Sequence, residues 1–228
     1  MKYLFAFLSF LALVALLFTL PLFFSSPDVE TSSAENLPWD IAIDPPGESV
    51  VFGLTPGKST LAEAEARFGE MELGVIIAKD VPADREAKDA ALEGYYNQLT
   101  LGYVQGRLIL TVEVPEETLV AMLKRTVKGE YMGSGSRKFT LHPDDVRLAR
   151  TFPLAAITLI PSASLDEEIV RQRFGEPAAI VPAGETLRHY LYPEKGLDVV
   201  IDAKGKEILQ YVAPADFTRR IVAPLEAK

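Results

Sequence analysis

The side chains of this sequence best suited to acid–base chemistry near neutral pH are its two histidines. His142 lies between a serine-containing loop and two acids, so a hydrolase that combines Ser134 or Ser136 with His142 and with Asp144 or Asp145 can be drawn. Such chemistry needs an activated serine within hydrogen-bond reach of an oriented base. The spacing does not indicate that geometry, and a histidine followed by proline and two acids is typical of the start of a helix.

His189 belongs to an alternating segment with Arg188, Tyr190 and Tyr192, a pattern typical of a β-strand. We expect a histidine that is packed or half-exposed in that strand. The sequence therefore predicts no catalytic residue and no enzyme. The alternative is a periplasmic enzyme of hydrolase type whose unrecognised site lies near His142 or His189.

Composition excludes several other kinds of site. The chain has no cysteine, which excludes thiol catalysis, disulfides, thiolate metal sites and a lipidated N-terminal cysteine. Two histidines are too few for a multi-histidine metal site. With 23 Lys and Arg against 32 Asp and Glu, the net charge is −9, and the chain lacks the basic face that phosphate binding requires. We expect no cofactor, no metal site and no nucleic-acid partner.

Tyrosine and tryptophan supply the remaining candidate functional side chains, because their large, partly polar rings suit protein interfaces. Six of the eight tyrosines fall in predicted strands, and we expect them on the outward face of the sheets. The alternative is that half or more of them face the core. The predicted partner-binding residues are Tyr95, Tyr96, Tyr103, Tyr190, Tyr192, Tyr211 and Trp39.

An apolar run of 22 residues extends from Tyr3 to Phe24 without a charge. About 20 such residues span a bilayer as a helix. A cleavable signal peptide has a shorter apolar stretch followed closely by small residues, and Phe23 and Phe24 occupy those places here. We expect an uncleaved single-pass membrane anchor, with a cleaved signal as the alternative.

The charges that flank this run predict which side of the membrane holds the folded part. Lys2 precedes the run, and no Lys or Arg follows it until Lys58, whereas acids accumulate in between. Positive charge beside a membrane helix stays on the cytoplasmic side. The sequence therefore predicts an inner-membrane protein whose C-terminal part is periplasmic.

Residues 25–48 are polar and acidic and include four prolines, a composition that disfavours helix and offers little to bury. We expect this segment to be a linker. Trp39, the only tryptophan, lies within it and is expected either to cover the edge of the first domain or to contact a partner.

A repeated pentapeptide indicates that the folded part is duplicated. Residues 66–70 (ARFGE) recur as residues 172–176 (QRFGE), 106 residues later. Each copy ends a short predicted helix, the first capped at Thr60 and the second at Ser164. The glycine after phenylalanine is expected to stop each helix.

Strand patterns follow both predicted helices. A three-stranded meander is predicted over residues 187–212, and a hairpin that turns at Gln105-Gly106 closes the first copy. Residues 83–93 and 116–128 are predicted as further helices, the latter stopped by Gly129. The predicted fold class is α+β, with an N-terminal transmembrane helix and then two similar lobes, each with short helices packed on an antiparallel sheet.

Gly53-Leu54-Thr55, the capped helix after it, Phe68-Gly69 and the predicted hairpin resemble the outer-membrane small protein A and OmlA (SmpA/OmlA) family, which includes the small lipoprotein of the barrel-assembly machinery. Tandem copies also look like the two-lobed β-lactamase inhibitory protein. The resemblance covers residues 50–115 and 157–214. It implies helices on one face of an antiparallel sheet and a role in envelope protein interactions without catalysis.

We therefore expect a membrane-anchored envelope protein that acts as a non-catalytic protein-binding or assembly module through its sheet surface. Its partner would be an envelope protein or a cell-wall component, with the membrane contacted through residues 3–24. The expected divisions are a membrane anchor at 1–24, an acidic proline-containing linker at 25–48, a first α+β lobe at 49–130, a connecting segment at 131–156 and a second α+β lobe at 157–228.

Overall fold

A computed structural model describes residues 36–44, 47–79 and 89–226. The predicted α+β class is confirmed, since short helices accompany a large antiparallel sheet. The strands are β1 (Ala42–Asp44), β2 (Glu48–Val50), β3 (Glu72–Ile77), β4 (Ala90–Leu101), β5 (Val104–Val112), β6 (Lys128–Tyr131), β7 (Arg137–Thr140), β8 (Leu154–Pro161), β9 (Ala179–Ala183), β10 (Leu187–Tyr192), β11 (Leu197–Asp202) and β12 (Ile208–Val212).

The helices of the described residues are short. The α-helices are α1 (Leu61–Phe68), α2 (Glu116–Lys124), α3 (Pro143–Ala149), α4 (Glu167–Phe174) and α5 (Ala223–Glu226). Single 3-10 turns occupy Pro193–Lys195 and Pro214–Asp216, and a π-helical segment, Thr218–Val222, leads into α5.

Capping chemistry sets where two of the helices begin. At α1, Thr60 accepts a hydrogen bond from the N–H of Glu63, and the Glu63 carboxylate accepts one from the N–H of Thr60. At α3, a ring nitrogen of His142 accepts a hydrogen bond from the N–H of Asp144. The predicted starts of these two helices are confirmed.

The start of α4 differs from the prediction. The N-cap is Asp166 and not Ser164, because the Asp166 carboxylate accepts a hydrogen bond of 2.8 Å from the N–H of Ile169. A carboxylate at this position satisfies a free N–H of the first turn and also complements the positive end of the helix dipole.

Ten strands form one antiparallel sheet, and β1 and β2 form a separate hairpin. The order across the large sheet is β6-β7-β3-β4-β5-β8-β12-β11-β10-β9. Strand β8 therefore lies in the middle, between a strand from the first half of the chain and the last strand of the second half. The hydrogen-bonded sheet runs without a break across the expected lobes.

The main core lies between one face of this sheet and the helices. Helices α1 to α4 supply buried side chains to it, for example Leu61, Met122, Ala149 and Phe174, and the sheet supplies alternate residues of its central strands. A smaller cluster lies on the opposite face, where Phe217 and Ile221 of the C-terminal segment cover apolar residues of β8, β10 and β12. Apolar burial on both faces is what holds the middle of the sheet.

The two Phe-Gly corners have the same local conformation. Gly69 has φ 87° and ψ −171°, and Gly175 has φ 84° and ψ −169°. Each glycine N–H bonds back to a carbonyl in the last turn of its helix. The predicted role of these two glycines as helix stops is confirmed, because residues with a side chain rarely adopt this conformation.

The cross-strand registers of the two halves also match. A row of directly opposed partners runs through three strands of each half, and the rows are Tyr96, Leu108 and Leu159 in the first and Tyr192, Leu197 and Tyr211 in the second. At the centre of the sheet Leu159 pairs with Leu209, and Tyr211 pairs with Ile157. Leu159, which ends the first row, therefore lies opposite a residue two places before Tyr211. Tyr211, which ends the second row, lies opposite a residue two places before Leu159. A local two-fold axis would produce this reciprocal pairing.

Two predicted features of the first half are wrong. The hairpin between β4 and β5 turns at Gly102 and Tyr103, whereas Gly106 lies inside β5. A Cβ atom at Gly106 would stand 2.6 Å from the carbonyl oxygen of Ile160, so close strand packing, and not a turn, requires glycine there. Residues 90–93 of the predicted helix at 83–93 belong to β4, because they pair with β3 and β5, and residues 83–88 lie outside the described residues.

The predicted helix over 116–128 exists but ends at Lys124, and Gly129 lies in β6. Among the described residues no helix is both long and apolar enough to cross a membrane. The predicted anchor at residues 3–24 lies outside the described residues, as does most of the predicted linker. The described end of that linker packs on the folded body, since Leu37 is buried and β1 pairs with β2.

Candidate partner-binding groove

Two of the predicted partner-binding residues, Trp39 and Tyr103, lie against each other. Their ring centroids are 5.9 Å apart at an interplanar angle of 56°. Tyr103 is 63% exposed in the turn between β4 and β5, and Trp39 is half-buried. The edge of the Trp39 ring also meets Phe174 at the end of α4, with a centroid distance of 6.3 Å.

Hydrogen bonds hold the segment that carries Trp39. The Tyr211 hydroxyl donates a hydrogen bond of 2.8 Å to the carbonyl oxygen of Pro38 from inside the core. The Arg67 guanidinium donates one of 2.5 Å to the side-chain oxygen of Asn36. Leu37 and Asp40 close the turn between them through a backbone hydrogen bond of 3.0 Å. Trp39 is therefore presented by an ordered turn.

Arg173 covers the face of the indole ring. Its guanidinium carbon lies 4.6 Å from the ring centroid of Trp39, within the range of a cation–π interaction. Phe174 contacts the ring from another side. The two contacts together limit the orientations that the Trp39 ring can adopt. The repeated Arg-Phe-Gly segment thus makes two contacts with the Trp39 ring and also ends a helix.

These aromatic residues border a cavity of about 580 Å³, which we call the Trp39 groove. Among the described residues that line it, Arg173 alone is charged, and most of the others are apolar. The lining residues are Trp39, Tyr103, Val104, Gln105, Pro161, Ser162, Ala163, Leu165, Ile169, Gln172 and Arg173.

The chemistry of the Trp39 groove is that of binding. Its lining offers an aromatic platform, aliphatic walls, two side-chain amides and one permanent positive charge. No carboxylate or histidine lies among the described lining residues, so the groove itself presents no general base. It can hold a chain segment that combines an apolar or aromatic group with a carboxylate.

The other tyrosines of the predicted binding set are buried. The exposed fraction is 7% or less for Tyr95, Tyr96, Tyr190, Tyr192 and Tyr211. The expectation that they form an outward contact face is therefore wrong for these five, because helices cover the face that carries four of them and Lys138 lies 4.5 Å above the ring of Tyr95. Strand alternation predicts two faces but not which face is covered.

Burial of these rings has an electrostatic consequence. It raises the pKa of Tyr96 to about 12 and that of Tyr192 to about 12, because removal from water disfavours the phenolate. Burial also raises the pKa of Tyr211 well above its ordinary value. The Tyr96 and Tyr192 hydroxyls each donate a hydrogen bond to a glycine carbonyl, Gly69 and Gly175 respectively.

The hydrolase arrangement around His142 is not completed by Ser136, although Oδ2 of Asp144 lies 3.5 Å from Nδ1 of His142. Its ring nitrogen is occupied in capping α3, and its side chain is 44% exposed. Ser136 precedes β7 and His142 follows it, and four extended residues span roughly 13 Å. That distance is far beyond hydrogen-bond reach. Asp145 is directed instead to the guanidinium of Arg125, which donates two hydrogen bonds to it.

His189 has an acidic partner. Its Nδ1 lies 2.7 Å from Oδ2 of Asp198, and their side chains are 14% and 2% exposed. Within the described part of the chain, Oδ1 of Asp198 has no hydrogen-bond partner. The pair lies on the face opposite α1 to α4, next to Leu191, which stands directly across from Asp198. The predicted packed histidine is confirmed, and its buried partner was not predicted.

Within the described ranges, no group of three or more His, Cys, Asp or Glu residues is placed so that it could hold a metal ion. Nothing in the sequence indicated that Arg173, Pro161, Leu165 and Ile169 line a binding site. Residue 173 was visible in the repeated pentapeptide, but that signal indicated a helix end and gave no indication of a contact with Trp39.

Comparisons with known proteins identify no family for this chain. No family model and no curated protein matches it. One solved structure is similar to it, a DUF4309 family protein (YjgB) from Bacillus subtilis subsp. subtilis str. 168, with 14% identity and a TM-score of 0.32. The match covers 73% of this chain and 88% of that chain.

Proposed function

We propose that this protein is a membrane-anchored envelope protein that binds another protein through the Trp39 groove and performs no catalysis. The observation that carries the proposal is the contact of Trp39, the only tryptophan, with exposed Tyr103 and cationic Arg173 beside an otherwise uncharged groove. The proposed binding site is this groove and not the sheet surface predicted from the tyrosines, because five of those rings are buried.

The composition of the groove supports a protein ligand. Tryptophan, tyrosine and arginine are the residues most enriched in binding hot spots. A stacked Arg173 and a packed Phe174 hold the indole ring before any partner arrives, which lowers the entropy cost of binding. We infer that the ligand is an extended segment with an apolar or aromatic group for the Trp39 ring and a carboxylate for the guanidinium.

The proposed setting is the periplasmic side of the inner membrane. The apolar run at residues 3–24 and the absence of Lys and Arg between it and Lys58 support this location. An envelope protein is the partner expected in this setting.

We further propose that the body contains two copies of one ancestral unit. The matched Phe-Gly corners, the two tyrosine-to-glycine hydrogen bonds and the symmetric register at β8 and β12 support duplication. In this arrangement α2, β6, β7 and α3 are an insertion between the third and fourth strands of the first copy. The resemblance to the SmpA/OmlA family remains a proposal, and it suggests binding.

Site-specific photocrosslinking tests the binding function. We expect p-benzoylphenylalanine at Tyr103 to form a discrete adduct with one envelope protein in intact cells, and Arg173→Glu in the same chain to abolish it. The matched control carries the photoreactive residue at Tyr131, another exposed tyrosine far from the groove lining. Equal adducts from both positions, or an adduct insensitive to Arg173→Glu, would contradict the proposal.

The His189–Asp198 pair favours a second candidate, a periplasmic hydrolase, because an aspartate at 2.7 Å can orient a histidine base. An alkyl fluorophosphonate probe, which labels an activated serine with loss of fluoride, tests for a hydrolase of the serine type. Covalent labelling of the wild-type chain that is lost in His189→Ala would favour the hydrolase. For the binding protein we expect no labelling above that of denatured protein.

A further inference from the structure

The segment of residues 124–140, which we call the basic hairpin, has a charge opposite to that of the whole chain. It contains five Lys or Arg residues and one Glu, a net charge of +4, whereas the chain carries −9. It comprises the end of α2, the edge strand β6, a Gly-Ser turn and β7. This concentration of positive charge has no role in the Trp39 groove.

Part of this charge is neutralised within the fold. Asp145 accepts hydrogen bonds from Arg125, and Glu72 lies 2.7 Å from the ammonium nitrogen of Lys138. Lys124 and Lys128 are exposed, and Lys128 forms an ion pair with Glu130 of its own strand, an exposed contact that contributes little. Asp145 and Glu72 therefore offset two of the four net positive charges of the hairpin.

A further cation lies beside the hairpin turn. A Cβ atom placed on Gly135 would stand 2.9 Å from Cδ of Lys79, so the Lys79 side chain passes directly over the turn. The turn itself, Gly133 to Ser136, consists of small residues that let this side chain approach closely. Lys79 is exposed and brings a further lysine to the turn.

The same hairpin exposes large apolar side chains. Val127 is 66% exposed, Tyr131 is 80% exposed and Met132 is 36% exposed. These are three of the seven exposed large apolar residues in the described part of the chain, and they fall within six consecutive positions. Tyr131 and Met132 stand immediately before the turn, where both side chains are exposed.

We propose that the basic hairpin docks on an anionic phospholipid surface. A tyrosine at the tip suits the boundary between headgroups and acyl chains, where aromatic residues concentrate in membrane proteins. Lysines behind the tip lie at the depth of the phosphate groups and gain from the negative surface potential. The register places Tyr131 directly opposite Arg137, at the ends of β6 and β7 next to the turn.

The apolar tip distinguishes a bilayer from a soluble polyanion. A polyanion would satisfy the lysines but would leave Tyr131 and Met132 in water, whereas a bilayer accepts both kinds of group. This proposal does not rest on the Trp39 groove or on the predicted anchor at residues 3–24. It assigns a second membrane contact to the folded body.

A single environment-sensitive label tests the docking. The chain has no cysteine, so Ser134→Cys in the full chain gives one NBD-labelled position at the tip. We expect a blue shift and a rise in NBD emission with vesicles of 30% phosphatidylglycerol in phosphatidylcholine, reversed by 0.5 M salt. Pure phosphatidylcholine vesicles should give no change, and the anchor is present in both samples.

Matched variants separate docking from anchoring. The label control is Ala203→Cys, an exposed turn position on the other half of the sheet. The double variant Lys124→Glu, Lys128→Glu should reduce the NBD emission shift caused by anionic vesicles to roughly a tenth or less. Lys58→Glu with Lys204→Glu changes the net charge equally and should leave it unchanged. Trp39 emission reports whether each variant is folded.

Three results would overturn the proposal. One is an equal NBD shift with neutral and anionic vesicles. Another is an equal response from the label at position 203. The last is the same blue shift on addition of heparin without lipid, which would assign the hairpin to soluble polyanions.

Discussion

The hydroxyl group of Tyr96 donates a hydrogen bond of 2.8 Å to the carbonyl oxygen of Gly69, just beyond the C-terminus of α1. The hydroxyl of Tyr192 makes the same contact with Gly175 beyond α4, at 3.0 Å. Carbonyls at the end of a helix lack intrahelical partners. Each tyrosine therefore ties a helix end to the sheet beneath it, and the two ties occupy corresponding places.

Removal of either hydroxyl should destabilise the protein by a similar amount. We expect Tyr96→Phe and Tyr192→Phe each to lower the free energy of unfolding by about 1 kcal/mol, since each leaves a carbonyl without its donor. Urea denaturation followed by Trp39 fluorescence measures the change. Tyr103→Phe is the control, because its ring is exposed, and it should shift the free energy by less than about 0.5 kcal/mol. A loss at only one of the two corners would contradict the equivalence.

Alkaline pH should weaken the fold through these buried tyrosines. Tyr96 and Tyr192 keep their protons up to a pKa of about 12 in the native state, whereas an unfolded tyrosine loses its proton near pH 10. The unfolded state therefore binds fewer protons between about pH 10 and 12, so stability is fully present below pH 10 and is lost as pH rises toward 12. The urea midpoint at pH 9 and pH 11 measures this loss. The double variant Tyr96→Phe, Tyr192→Phe should show a smaller one.

Replacement of the glycine at either Phe-Gly corner by alanine should destabilise the fold, because the backbone conformation there disfavours any side chain. Gly69 and Gly175 have positive φ with extended ψ, and a Cβ atom at either position would meet nothing within 4 Å. We expect Gly69→Ala and Gly175→Ala each to destabilise the fold by about 1 to 3 kcal/mol. Gly133→Ala is the matched control, with equal open space and no positive φ. Thermal unfolding that is unchanged by both corner variants would contradict this account.

Loss of the His189 side chain should destabilise the protein, because its carboxylate partner Asp198 is buried. His189→Ala would leave the Asp198 carboxylate buried without its partner, at an expected cost of about 3 kcal/mol. His189→Leu combined with Asp198→Leu should cost less than the single change, since no charge is then buried. Lys128→Ala, which removes an exposed ion pair, should change the free energy of unfolding by under about 0.5 kcal/mol.

The contact between Arg173 and Trp39 can be followed by fluorescence in isolation, because no other tryptophan contributes. We expect Arg173→Ala to shift the Trp39 emission maximum to longer wavelength, since water replaces the guanidinium. The stability cost should be about 0.5 to 1 kcal/mol. Arg107→Ala, an exposed arginine of β5, should leave the emission unchanged.

Local chemistry predicted the ends of several elements correctly. Thr60 with Glu63, His142 before Pro143 and the two Phe-Gly corners each act through neighbours within four residues. A sequence contains that information directly, because the donor and acceptor are close along the chain. The α+β class followed from these helix ends combined with the alternating strand patterns.

Features that depend on distant residues were not predictable in the same way. Gly106 is required by the backbone of Ile160, 54 positions away, and a glycine in sequence gives the same signal as a turn. The burial of Tyr190 and Tyr211 depends on which sheet face the helices cover. The Trp39 groove joins residues 39 and 173, which only the folded sheet brings together.

The pairing of the central strand β8 has a consequence for the linkage of the two halves in one polypeptide. It hydrogen-bonds β5 on one side and β12 on the other, in a register that two identical halves would adopt about a two-fold axis. Either half alone would present an open row of amides and carbonyls to another copy of itself. Covalent linkage fixes the ratio of halves at one to one. In the described ten-stranded sheet, the outer strands are β6, with its lysine, and β9, with Pro182, and both residues discourage fibre growth.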